Sequence, residues 1–228
     1  MSRAEQKERT RQTLVATSRR LFASRGYAGV GLAEIVRESG VTKGALYHHF
    51  EGGKTALFRA VLEEVQQEVA ARVVAAAEAA GDPWQRLKAG CAAFVEASAD
   101  PEAQRIMLID GPAVLGWAEW RAIDEAASAS HLAEALTELV DGGVIPPRPV
   151  APLTRLLSGA MNEAALWLAQ STAPADLPDT LSALSALLEG LRPEGLGQEG
   201  LGQEGLGQEG LGQEGLGQEG LGQEGLSS

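Results

Sequence analysis

The sequence predicts an all-α protein, and three observations carry that reading. Apolar residues recur at spacings of three and four through most of the first 192 positions. No sustained alternation of Val, Ile, Thr and aromatics marks a strand. Helix signals punctuate the chain: Ser2 with Glu5 at capping-box spacing, Asp82-Pro83, Asp100-Pro101, and Gly26 or Gly142-Gly143 as stops. With 228 residues, 44% of them hydrophobic, the chain can bury a core.

Leu14, Ser18, Leu21 and Phe22 share one face of a first helix over 4–25. A short helix follows at 32–38, then the Ser39-Gly40-Val41 turn, then a third helix from Thr42 to Phe50, with Thr42 as its cap. Glu51-Gly52-Gly53 ends it. The stretch 54–80 reads as one long helix with Leu57, Val61, Val65, Val69 and Val73 along one side, about 40 Å long. Further helices are expected at 84–98, 101–110, 112–126, 128–141, 152–170 and 177–190. The domains are therefore 1–53, 54–192 and a tail over 193–228. Within that tail GLGQE is written six times; so Gly-rich a repeat, with one Leu per five residues, predicts a disordered acidic segment.

Charge divides along the same lines. Residues 1–59 hold 11 Lys/Arg against 5 Asp/Glu, residues 60–192 hold 8 against 19, and residues 193–228 hold 0 against 7. The net charge of −12 thus conceals a basic module at one end, where a polyanion could bind. The lone Cys91 excludes an internal disulfide and a thiolate zinc site. No apolar run is long enough for a membrane helix, and the polar first 25 residues lack a secretory apolar stretch, so a soluble cytoplasmic protein is expected.

Two helices joined by a short glycine-containing turn match the arrangement that places a recognition helix in the DNA major groove. Leu46 and Phe50, one turn apart, face inward and leave Thr42, Lys43, Gly44, Tyr47 and His48 outside. Gly44 and Ala45 are small enough for close approach, and Thr42, Lys43 and the helix start can meet phosphates. Any three-helix bundle with Tyr47 as a semi-buried aromatic would show this pattern. Local charge favours DNA, because Lys7, Arg9, Arg11, Arg19, Arg20, Arg25, Arg37, Lys43 and Lys54 surround the helix.

Leu21-Phe22, Gly26-Tyr27, Ile35, Gly40-Val41-Thr42-Lys43-Gly44, Leu46-Tyr47, Phe50, Lys54 and Leu57 together resemble the N-terminal domain of the TetR family of bacterial transcriptional regulators, over about residues 10–70. The resemblance implies a homodimer of helical subunits and a repressor released from a palindromic operator by a small molecule. It also implies that Thr42, Lys43, Tyr47 and His48 lie at the DNA surface and that Lys54 holds a phosphate. Two positions depart from the family pattern. Gly31 stands where Thr or Ser usually caps the second helix and contacts a phosphate, and Val36 replaces an Ala in the packing of that helix.

For the C-terminal half the resemblance implies architecture alone: a helical ligand pocket and a dimer interface from the last two helices. Leu156, Leu157, Ala160, Ala164 and Leu168 in 152–170, and Leu177, Leu181, Leu184, Leu188 and Leu191 in 177–191, form suitable stripes, although internal core would look the same. The bulky residues Phe94, Met107, Trp117, Trp120 and Trp167, with His131, are the candidate ligand contacts. The acidic body favours an apolar effector that is neutral or cationic. Neither a cofactor nor a metal is expected. Two alternatives remain: a DNA-binding architectural protein without a ligand, and an enzyme using Asp110, Glu119, Asp124 and His131. The second lacks any nucleophile elbow, metal-ligand spacing or phosphate loop, so surface charge is the simpler account of those groups.

Overall fold

Ser2 opens the first helix as its spacing requires. Its hydroxyl accepts the Glu5 N–H at 3.2 Å, and its own N–H donates to the Glu5 carboxylate at 2.8 Å. In this computed structural model residues 2–192 are described; the GLGQE repeats lie outside the described residues. Helix α1 (Arg3–Arg25) packs on α2 (Leu32–Ser39) and on α4 (Gly53–Glu78), with α3 (Lys43–His49) closing the N-terminal unit. Its core is Leu14, Phe22, Ile35, Leu46, Leu57 and Phe58, all fully buried. Phe22, Tyr27 and Phe58 meet with ring centroids 5.2–5.6 Å apart. Val36 packs half-buried against this core, so its extra methyl groups are accommodated. Gly31 begins α2 in extended conformation with no side-chain cap.

Beyond α4, α5 (Pro83–Ser98) is the central helix of the body, packed by α4, α9 (Ser130–Asp141), α10 (Val150–Leu168) and α11 (Asp176–Glu189). Asp82 caps α5, accepting from the Gln85 N–H at 3.0 Å, with Pro83 in the first turn. Trp84, Leu87, Cys91, Phe94 and Val95 are its buried side.

The middle of the body departs from the sequence expectation. The stretch 101–110 is a short α6 (Pro101–Gln104) running into a π-helical turn, Arg105–Asp110. The stretch 112–126 is two helices, α7 (Gly111–Leu115) and α8 (Trp117–Asp124), broken at Gly116, whose φ of 79° ends the first. A second π-helical turn, Glu125–Ala129, joins α8 to α9. No strand occurs among the described residues.

Candidate functional site

The Thr42 hydroxyl accepts the Ala45 N–H at 3.2 Å and so starts α3. Buried Leu46 and Phe50 anchor the helix to the core. Thr42, Lys43, Gly44, Tyr47 and His48 are consequently exposed together, with Ala45 half-buried beside them. A Cβ on Gly53, whose φ is +59°, would sit 3.4 Å from Tyr47 Cε1. The glycine lets the α3–α4 turn fold beneath the tyrosine and present its ring, 42% exposed, outward.

Lys54 is placed differently from the other six. Its Nζ lies 3.8 Å from the centroid of the Tyr27 ring, and burial pushes its pKa down against the opposing pull of Asp110. A phosphate contact by Lys54 would be made with the N–H donors that point away from the ring, or after the side chain leaves it. The surrounding cations also divide. Arg20, Arg25 and Arg37 pair with Glu38 or Glu34, and Arg19 turns inward to Glu64, Glu68 and Glu102. Lys7 and Arg11 instead stand near His49 at the end of α3; burial first, then His48 and these two cations, lowers the His49 pKa. The basic field is thus narrower than the sequence suggested. Lys7, Arg9, Arg11 and Lys43, which pair with no carboxylate among the described residues, carry it.

An apolar cavity of about 250 Å³ lies in the body among α4, α5, α9, α10 and the second π turn. Leu87, Cys91, Phe94, Leu132 and Met161 are its buried walls, and exposed Glu78, Arg86, His131, Glu134 and Glu138 form its rim. The space exists because Gly90 and Ala129 carry so little side chain. Burial pushes the Cys91 thiol up to about 12, so it is a wall rather than a nucleophile.

Of the six ligand contacts expected from sequence, Phe94 and His131 line this cavity. Met107 is fully buried in the core, and its carbonyl accepts from Trp120 Nε1 at 2.7 Å. Trp120 and Trp117 stack 4.9 Å apart beside a separate surface pocket that also contains Arg155 and Asn162. Trp167 is 50% exposed on the outer face of α10. The bulky residues were a poor guide. Small residues on three different elements, Ala77 on α4, Gly90 on α5 and Ala129 on the second π turn, line it, and nothing in composition marks them.

The four titratable groups considered for catalysis have structural partners. Asp110 accepts the Tyr27 N–H at 2.7 Å, Glu119 pairs with Arg59, and His131 lies 3.8 Å from Glu134. Asp124 is not surface charge: it is 2% exposed, 2.8 Å from Arg121, and burial raises its pKa against that arginine. The Asp110 bond ties the N-terminal unit to the first π turn of the body. That turn is fixed in its own right by Trp120, and α6 before it by Gln104 Nε2 donating to the Ala165 carbonyl at 2.9 Å.

On the outer side of α10, Leu156, Gly159, Ala160 and Trp167 form an exposed stripe, and Ala183, Ala186 and Leu187 do so on α11. Of the leucines expected at a dimer interface, Leu157, Leu184, Leu188 and Leu191 are buried within the subunit instead. They hold α10 and α11 to the body, while the outer stripes remain available.

Two family descriptions match the chain: bacterial regulatory proteins of the tetR family over residues 14–61, and a tetracyclin repressor-like C-terminal domain over residues 84–191. A crystal structure of a TetR-family transcriptional regulator from Pectobacterium atrosepticum is 37% identical, with a TM-score of 0.68 over 84% of this chain and 98% of that one. The HTH-type transcriptional regulator LmrA of Bacillus subtilis is 36% identical over 80 residues, 35% of this chain and 43% of LmrA. The HTH-type transcriptional repressor NemR of Escherichia coli is 43% identical over 54 residues, 24% of this chain and 27% of NemR. The matched stretches span less than half of either curated relative. Since both halves match, and the Pectobacterium structure is covered almost end to end, the chain belongs to the TetR family of bacterial regulatory proteins.

Proposed function

We propose that this chain is a DNA-binding transcriptional regulator, a repressor whose release from an inverted-repeat operator is driven by a small molecule. The observation that carries the reading is the α3 surface: Thr42, Lys43, Tyr47 and His48 exposed on one side of a helix anchored by Leu46 and Phe50, with Lys7 and Arg11 beside it. Side chains on such a surface can reach base edges while the flanking cations hold phosphates. Gly44 leaves the helix start open for close approach.

The outer stripes of α10 and α11 support a homodimer. Small residues between Leu156 and Trp167 on one helix, and beside Leu187 on the other, permit the close crossing that a four-helix interface requires. The cavity supports an effector that is largely apolar, and the glutamates on its rim favour a neutral or cationic one over an anion. No described helix is long and apolar enough to cross a membrane, which fits the cytoplasmic location a DNA-binding regulator needs.

Selection of bound fragments from random DNA tests the reading. An inverted repeat should emerge, and Lys43→Ala and Tyr47→Ala should each weaken its binding about 5-fold or more without changing the thermal midpoint. If both variants bind like the parent, α3 is not the recognition surface. If no sequence is enriched, the regulator reading itself fails.

A further inference from the structure

One buried side chain in the body has no structural work assigned to it. Gln66, on α4, is 1% exposed, and neither its amide nitrogen nor its amide oxygen has a hydrogen-bond partner. A buried primary amide left unpaired is costly, since both the N–H donors and the carbonyl have lost water. Such a group is retained where something else can pair it.

Gln66 belongs to a groove of about 790 Å³ between α4 and the α8 to π-turn segment. That groove shares Val74, Glu78 and His131 with the apolar cavity. On α4, positions 66, 70, 74 and 77 follow one another along a single helical face, so the two spaces adjoin and, once joined, would make one channel with Gln66 toward the end nearer the DNA-binding unit. From Gln66 to Val73 is about 10 Å along the helix. The opposite wall is the π turn, where Ala126 and Ala127 line the groove and Ser128 and Ala129 the cavity. π turns recur at functional sites, and the small side chains here leave room along this wall beyond the sealed Gln66 amide.

Resting on the effector-binding reading above, we propose that the channel takes an elongated neutral molecule with an apolar body in the cavity and, at Gln66, a head group offering a donor and an acceptor side by side, as a primary amide or a lactam does. The apolar end is matched by Phe94, Leu87 and Met161. A head with adjacent N–H and C=O pairs both halves of the Gln66 amide at once; an ester satisfies one half, and an alkylammonium leaves the N–H donors unpaired and buries its charge. Because the amide is sealed from solvent in the free chain, a molecule that reaches it must part α4 from the α8 to π-turn segment that faces it across the groove. That parting displaces α4, the helix that enters the DNA-binding unit at Gly53.

The test compares octanamide, methyl octanoate and octylammonium by titration calorimetry on the full chain, with Gln66→Met, Gln66→Leu and Gln67→Leu, whose exposed side chain lines the same groove without being sealed. Octanamide should bind at least ~10-fold more tightly than the other two. In both Gln66 variants that preference should fall to within about twofold, with the amide losing more affinity than the ester, and in Gln67→Leu it should persist. Both Gln66 variants should melt at or above the parent temperature, because an unpaired buried amide has been removed. Equal affinity for amide and ester in the parent, or a preference that survives loss of the Gln66 amide, overturns the proposal. So does binding of none of the three. In each of those cases intact binding to the selected operator shows that the DNA-binding reading stands, whereas loss of operator selection is the separate failure of that reading.

Discussion

Removing the Asp110 carboxylate should loosen the DNA-binding unit from the body. Asp110 Oδ2 accepts the backbone N–H of Tyr27 at 2.7 Å, a charge-assisted bond between the turn after α1 and the last residue of the first π turn. Next to it, a Cβ on Gly26 would stand 3.5 Å from the same carboxylate, so the approach is close. Hydrogen bonds to charged groups contribute about 1.5–3 kcal/mol, and both partners here are half-buried, so solvent can partly replace the lost acceptor. Asp110→Ala should therefore cost about 1–2 kcal/mol, and Asp110→Asn, which keeps an oxygen acceptor without the charge, about half of that. Urea denaturation reads this as a lower midpoint at unchanged slope. If both variants fall within about 0.3 kcal/mol of the parent, the bond is not a structural tie between the DNA-binding unit and the body.

Three further outcomes follow from single sites. Gly31→Ser places a hydroxyl in open space at an extended N-cap position, so it should stabilise the chain by a few tenths to about 1 kcal/mol and tighten operator binding by adding a phosphate partner, measured by melting and by fluorescence anisotropy. Gly111→Ala should cost about 1–3 kcal/mol and shift tryptophan emission, because its Cβ would lie 2.8 Å from Trp120 Cδ1 and displace the indole from the Met107 carbonyl. The Arg19 cluster should make stability acid-sensitive. Hydrogen bonding to Arg19 lowers the Glu68 pKa below its ordinary value, so the contribution is present above about pH 4.3 and lost as pH falls through the lower folded value. Arg19→Met should accordingly cost about 1 kcal/mol at pH 7, after discounting for the exposure of Glu68, and progressively less as pH falls below the ordinary glutamate range, as urea midpoints along that series would show.

The helices whose ends are chemically marked were legible in the sequence. Ser2 with Glu5, Thr42, and Asp82-Pro83 each make the cap their residue types imply, and α3 presents the face that buried Leu46 and Phe50 require. The two π turns were not legible, because one extra residue per turn leaves the apolar spacing almost unchanged. Gly116 could have been recognised as a break, but its neighbours read as continuous helix. The cavity was misplaced for a related reason. Trp117 and Trp167 advertise bulk, yet they face outward, whereas a cavity is built where side chains are missing, at Gly90 and Ala129. Gln66, flanked by Gln67 and Glu68, looks like part of a solvated face until its burial is known.

The separation of the two α3 helices in the proposed dimer tests the account most directly. Glu51, exposed in the turn after α3, accepts a spin label through Glu51→Cys, while the native Cys91 thiol is buried and its pKa pushed up to about 12, so it stays unlabelled. Pulsed electron resonance on the labelled chain should give one intersubunit distance that narrows on the selected operator, consistent with recognition helices about 34–36 Å apart in successive major grooves. Absence of any intersubunit coupling, or a distribution that operator DNA leaves unchanged, would contradict the account.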